Sequence, residues 1–122
     1  MLFELKMPKI IEQMDTALIE KIYCVEGSAV KLGSKLMDLS VDLSRAFSQN
    51  CPPVSYYRLV MRENLWLRKM LIAAGDRCDV GARLALFSTE AEEPLDGAPA
   101  REVRIMTAGI NFHEEMWSGT IA

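Results

Sequence analysis

Few residues of this 122-residue chain have side chains suited to chemistry, and their spacing narrows what they do. Cys24, Cys51 and Cys78 are an odd number, lie far apart and form no CxxC, and His113 is the single histidine. That set builds neither a disulfide framework nor a zinc site, so reduced thiols are expected and no metal. Cys51 differs from the other two in its setting, a polar stretch just before Pro52-Pro53. A thiolate there would be a good nucleophile, but a lone thiol titrates near ~8.5 and stays mostly protonated at neutral pH unless a cation such as Arg45 lies close. Cys24 and Cys78 sit on or beside apolar runs and read as small hydrophobic residues.

Asp38 and Asp42 are four residues apart, which on a strand places both on one face about 13 Å from each other at roughly 3.3 Å per residue. Retaining and inverting carboxylate pairs both sit closer, so two solvated carboxylates are expected. The glycines show no nucleotide-binding fingerprint, and His113 has no Ser or Cys in a nucleophile setting. The sequence therefore reads as a protein that is not an enzyme.

Charge is divided unevenly along the chain. Residues 1–88 hold 12 Lys and Arg against 10 Asp and Glu, whereas residues 89–122 hold 2 against 7. A near-neutral core with an acidic tail gives no footprint for nucleic acid. No apolar run reaches the ~18 residues of a membrane span, and MLFELKMPKI carries charge where a signal peptide has its apolar block. A cytoplasmic protein with no membrane partner is expected.

The elements that position these residues are organised around the stretch Glu26–Ser44, EGSAVKLGSKLMDLSVDLS. It returns 48 residues later: Gly75 stands opposite Gly27, Gly81 opposite Gly33, Leu84 opposite Leu36, Ser88 opposite Ser40 and Lys69 opposite Lys21. Apolar alternation predicts strands over 3–7, 17–25, 36–41, 56–61, 65–73 and 84–88, with Val30 pointing inward between glycine corners and Glu63-Asn64 as a turn. A helical reading of 57–73 competes locally, because Tyr57, Leu65, Leu67 and Met70 fit neither period cleanly. Residues 43–55, LSRAFSQNCPPVS, break the pattern as a loop. From Thr89 the composition turns acidic and rich in Pro, Gly and Ala, giving a boundary: a domain over 1–88, then a linker and tail over 89–122 in which REVRIM is one short strand. In NFHEEMW, Phe112, Met116 and Trp117 make an adhesive segment a second reading beside a plain tail.

Met7-Pro8-Lys9-Ile10, Met14, Ile19, Lys21, Glu26-Gly27, Val30, Gly33, Leu36 and Asp42 follow without a gap the pattern of the biotinyl/lipoyl-attachment domain. The chain resembles the lipoyl domain of the acyltransferase subunit of 2-oxo acid dehydrogenase complexes over residues 3–88. The resemblance implies an all-β fold, a flattened β-barrel or barrel-sandwich hybrid of two four-stranded antiparallel sheets with a quasi-twofold internal repeat. It also implies a hairpin tip at which a lysine after an aspartate carries lipoate or biotin. Here the residue after Asp42 is Leu43, which has no nucleophile, and residues 42–57 contain no lysine. The span between Leu43 and Ser55 is also longer than the family's tight turn, a change that costs only about 0.6 kcal/mol per doubling of loop length.

A degenerate member follows from this reading: no prosthetic group, a protein-binding or scaffold role in an acyl-transfer, dehydrogenase or carboxylase-type assembly, and lipoate or biotin only if the reading of Leu43 is wrong. One alternative is an acyl carrier using Cys51 as the acceptor. A further one is a lipoyl-like adaptor of a membrane-fusion or efflux system, although 13 residues containing Pro-Pro cannot make the helical hairpin such adaptors carry. Candidate partner contacts are Arg45, Phe47, Tyr56, Tyr57 and Trp66, the aromatic ones forming a patch beside the loop or filling the space between the sheets. Exposed strand edges also allow a homodimer.

Overall fold

A computed structural model of the chain describes residues 1–42 and 54–110. Among these the protein is all-β, and no helix is long and apolar enough to cross a membrane. Its strands are β1 (Leu2–Lys6), β2 (Thr16–Ile22), β3 (Ala29–Val30), β4 (Lys35–Asp42), β5 (Val54–Met61), β6 (Leu65–Met70), β7 (Arg77–Asp79), β8 (Arg83–Ser88), β9 (Arg101–Glu102) and β10 (Ile105–Ile110). They form two five-stranded sheets, β3-β6-β8-β1-β9 and β10-β5-β4-β2-β7, antiparallel throughout except where β9 joins β1.

Period-two alternation decides the strands. Phe3 and Leu5, Ala17 and Ile19, Leu39 and Val41, Leu59 and Met61, and Leu65 and Leu67 are buried in pairs two apart, as one face of a pleated strand requires. The competing helix over 57–73 is thereby replaced by β5 and β6, because Leu59, Met61, Leu65 and Leu67 reach one core only when extended. Both sheets turn these faces onto a single cluster that includes Phe3, Leu5, Ile19, Leu39, Leu59, Leu67, Leu84 and Phe87. A bulge between Lys35 and Met37 lets consecutive Leu36 and Met37 both be fully buried.

The turns and cross-links recur at an offset of 48. Tyr23 N–H donates to Leu36 O at 3.0 Å and Leu71 N–H to Leu84 O at 2.9 Å; Gly27 N–H donates to Leu67 O at 2.8 Å and Gly75 N–H to Ile19 O at 2.7 Å. Bulges fall between Ile19 and Lys21 and between Leu67 and Lys69. Gly33 and Gly81 both have φ +88°, and a Cβ added at either would meet nothing within 4 Å. Gly33→Ala and Gly81→Ala should therefore cost about 1–2 kcal/mol each, all of it backbone conformation rather than crowding. Thermal melts of the two variants, matched within error, are the expected result.

The expectation of two four-stranded sheets is corrected to five strands in each, and no hydrogen-bonded closure into a barrel joins the sheets among the described residues. The added strands come from beyond Ser88. Where one short strand was expected in REVRIM, two strands occur, β9 on β1 and β10 on β5. The chain steps from one sheet to the other through Val103, which is buried, and Arg104. A partner far away in sequence holds this step. Glu63 accepts from Arg101 Nη2 at 2.6 Å, Arg101 Nη1 at 2.8 Å and Arg104 N–H at 2.8 Å, and the Arg101 guanidinium lies 4.1 Å from the Phe3 ring centroid. The acidic segment after β8 is also tied down, since Arg68 Nη1 donates to Glu93 O at 2.7 Å.

The Arg101 bond holds the Glu63 carboxyl below its ordinary value, against the opposing effect of burial. The tether is therefore complete above the usual glutamate range and is lost as pH falls through the depressed value. Glu63→Gln should speed amide exchange across 100–110 while β2 and β4 keep their protection. Uniform protection in the variant would show that the strands hold without it.

Candidate functional site

The hairpin β4–β5 is the element on which the sequence places its candidate site. Its last described pair is Asp42 opposite Val54, with Asp42 exposed. Leu43, Arg45, Phe47 and Cys51 lie outside the described residues. Just behind the end of the ladder, Tyr56 stands opposite Ser40 and Ile110, and Tyr57 opposite Leu39 and Gly109. Alternation sends them to opposite faces. Tyr57 packs against the core beside Leu39, which makes it the tyrosine that fills space between the sheets. Trp66 does not join them: it belongs to the other sheet, opposite Ala29 and Ser88, where it lines an open groove with Val30, Lys31, Asn64 and Thr89. The aromatic patch expected from sequence is therefore divided between two sheets.

What the structure does bring together on the hairpin is a charged cluster on the outer face of its sheet. Asp38 is 8% exposed, so it is not the solvated carboxylate expected from the sequence. In the ladder it is flanked by Lys21 on β2 and Arg58 on β5. Arg58 Nε donates to Asp38 Oδ1 at 2.7 Å and Arg58 Nη2 to Oδ2 at 3.1 Å. Tyr23 Oη donates to the same Oδ2 at 2.5 Å and accepts from Arg58 Nη2 at 3.1 Å. Around the Tyr23 ring stand Lys21 Nζ at 5.0 Å, Lys35 Nζ at 5.3 Å and the Arg58 guanidinium carbon at 5.4 Å from its centroid. Alongside, Ser40 Oγ donates to Glu20 Oε2 at 2.6 Å.

Burial by itself would raise the Asp38 carboxyl, but the bonds from Arg58 and Tyr23 outweigh it and hold it below its ordinary value. For Tyr23, burial first and then the bond to Asp38 push the hydroxyl up. A carboxylate saturated by three donors, beside a phenol kept protonated, supplies no base near neutrality. Its role is to fix the positions of β2, β4 and β5 behind the hairpin end and to hold three cations around one aromatic ring. Tyr23→Phe removes a hydroxyl donor to an ionised acceptor and should cost about 1–2 kcal/mol in urea unfolding, with the far-UV spectrum unchanged.

The described thiols are poor nucleophiles. Burial raises Cys24, and burial with the nearby charges of Asp76 and Asp79 raises Cys78. Cys78 is buried on β7, and Cys24 packs against the core, as expected for small apolar residues. Among the described residues no group of three or more His, Cys, Asp or Glu side chains is placed to hold a metal ion.

The Asp38–Arg58–Tyr23 cluster escaped the sequence reading because its members are 15 to 35 residues apart. One signal was present: an aspartate in the middle of a strand otherwise buried from Leu36 to Val41, since buried charge demands a partner. Comparison of the chain with protein-family models, curated proteins and solved structures returned no match.

Proposed function

We propose that this chain is a lipoyl-like, non-catalytic binding or scaffold module in which the acyl-bearing hairpin of such domains has lost its acceptor. The observation that carries this reading is the end of the β4–β5 hairpin: an exposed Asp42 closes the ladder opposite Val54, and the next residue is Leu43 rather than a lysine. An isobutyl side chain offers no amine to an activated acyl group. Support for two related halves comes from the sheets themselves. Exchanging β1, β2, β3, β4 and β9 with β5, β6, β7, β8 and β10 converts the order β3-β6-β8-β1-β9 into β7-β2-β4-β5-β10, which is the second sheet read from its other end. The corner hydrogen bonds recurring at an offset of 48 agree with that exchange.

In this reading the protein partners come from a larger, cytoplasmic acyl-transfer or dehydrogenase-type assembly. The surface offered to them is the hairpin end with the Tyr23, Lys21, Lys35 and Arg58 face behind it. No lipoate or biotin is carried.

Restoring what was lost tests the reading. Leu43→Lys, combined with shortening of residues 44–53 to a tight turn, should become a substrate in a host with active lipoate and biotin ligases. Intact mass should then show the acyl increment on the variant and none on the wild type. An unmodified variant that keeps its far-UV spectrum and melting temperature would refute the kinship, and a modified wild type would refute the loss.

A further inference from the structure

Four strands bound the two sheets, and three of them are short: β3 and β9 have two residues each and β7 has three. Brevity is one way a sheet limits pairing with other chains. The fourth, β10, has six residues, IMTAGI, with neither charge nor proline. One side of β10 takes β5 in unbroken register from Ile105–Met61 to Ile110–Tyr56. Among the described residues no strand pairs with its other side. On the outer face of the sheet Met106, 44% exposed, stands opposite Val60, and Ile110 opposite Tyr56.

We propose that a second copy of this chain pairs with β10, antiparallel and about a twofold axis normal to the sheet, so that the two five-stranded sheets continue as one. An uncharged strand meets its own copy without like-charge repulsion, the device that charged edges use against self-pairing. A twofold axis normal to the sheet also sets outer-face residues against outer-face residues. Met106 then faces Ala108 across Thr107, or Ile110 across Ala108, and in either register apolar meets apolar.

The chain beyond the ladder favours the same occupant. Residues 111–122 continue from Ile110, at the end of the open edge, and in an antiparallel pair they start beside Arg104 of the second copy. They contain Glu114 and Glu115, opposite in sign to that arginine, and the apolar Phe112, Met116 and Trp117. Such residues extend an interface that a six-residue strand alone would leave below the roughly 1,200 Å² of a stable complex. This inference stands apart from the hairpin reading and does not use it.

Sedimentation equilibrium of the full chain, from low micromolar to near-millimolar concentration, tests the proposal. A reversible monomer–dimer equilibrium is expected, with amide protection in β10 that rises with concentration. Met106→Lys, at an exposed position, should leave the monomer's melting temperature unchanged and raise the dissociation constant by about tenfold or more, because two lysines are brought to one ladder. Mixing Met106→Lys with Ala108→Glu should recover a heterodimer. A chain that is monomeric throughout overturns the proposal, and so does a dimer that persists unchanged in Met106→Lys.

Discussion

Arg58→Ala should destabilise the protein by about 3 kcal/mol near neutral pH, toward the low end of what breaking a buried ion pair costs, because each partner's side chain keeps a little over a tenth of its surface in water. The loss arises less from the missing attraction than from what stays behind, a carboxylate that is 8% exposed with one donor remaining on Oδ2. In the wild type the Asp38 carboxyl is held below its ordinary value, so its contribution to stability is fully present above the unfolded value of 3.8 and is lost as pH falls through the depressed one. Without Arg58 the effect of burial is opposed more weakly and the carboxyl moves up. The gap between variant and wild type should therefore be widest near neutrality and narrow in acid, where protonation empties the pair in both. Urea unfolding across that range measures it, and a gap independent of pH would rule out the electrostatic account. Asp38→Asn with Arg58→Met should be milder than Arg58→Ala alone, since no buried charge is then left unpaired.

Phe87→Ala is expected to cost more, about 4 kcal/mol, the usual range for deleting a fully buried phenyl group. Phe87 is fully buried on β8, with Phe3 opposite on β1 and Leu67 opposite on β6. Its removal leaves a hole in the middle of one sheet's inner face, and flanking strands held in register by ladders on both sides cannot collapse into it. Phe87→Leu should cost about 1–2 kcal/mol, because most of the volume stays filled. Urea unfolding of the pair distinguishes cavity from transfer. Equal losses would mean that the core relaxes freely around position 87.

Much of the strand layout could be read from local spacing. Val30, Leu36, Leu39 and Leu59 were expected inside and are buried. The corners at Gly27, Gly33, Gly75 and Gly81 all carry positive φ, the conformation for which glycine is suited and other residues are strained. The strands after Ser88 were read only in part, because two and six residues between an acidic linker and the chain's last segment give too little alternation to separate a strand from an extended tail. Their anchor is Glu63, in a turn about 40 residues earlier, and nothing in the local sequence announces that bond.

The candidate site divides in the same way. That no lysine follows Asp42 is a statement about which atoms exist, and no fold can alter it. That Tyr56 and Tyr57 part to opposite faces follows from the period of a strand once the strand is granted. The separation of Trp66 from them, the closure of Asp38 by Arg58 and Tyr23, and the open side of β10 depend on which strands become neighbours. Sheet neighbours are chosen by long-range burial and backbone pairing, and their side chains meet only across the ladder. Sequence alone therefore determined the alternation, the corners and the missing amine. Tertiary structure decided which charges share a face and which edge is left open, because those are properties of strand order rather than of any one strand.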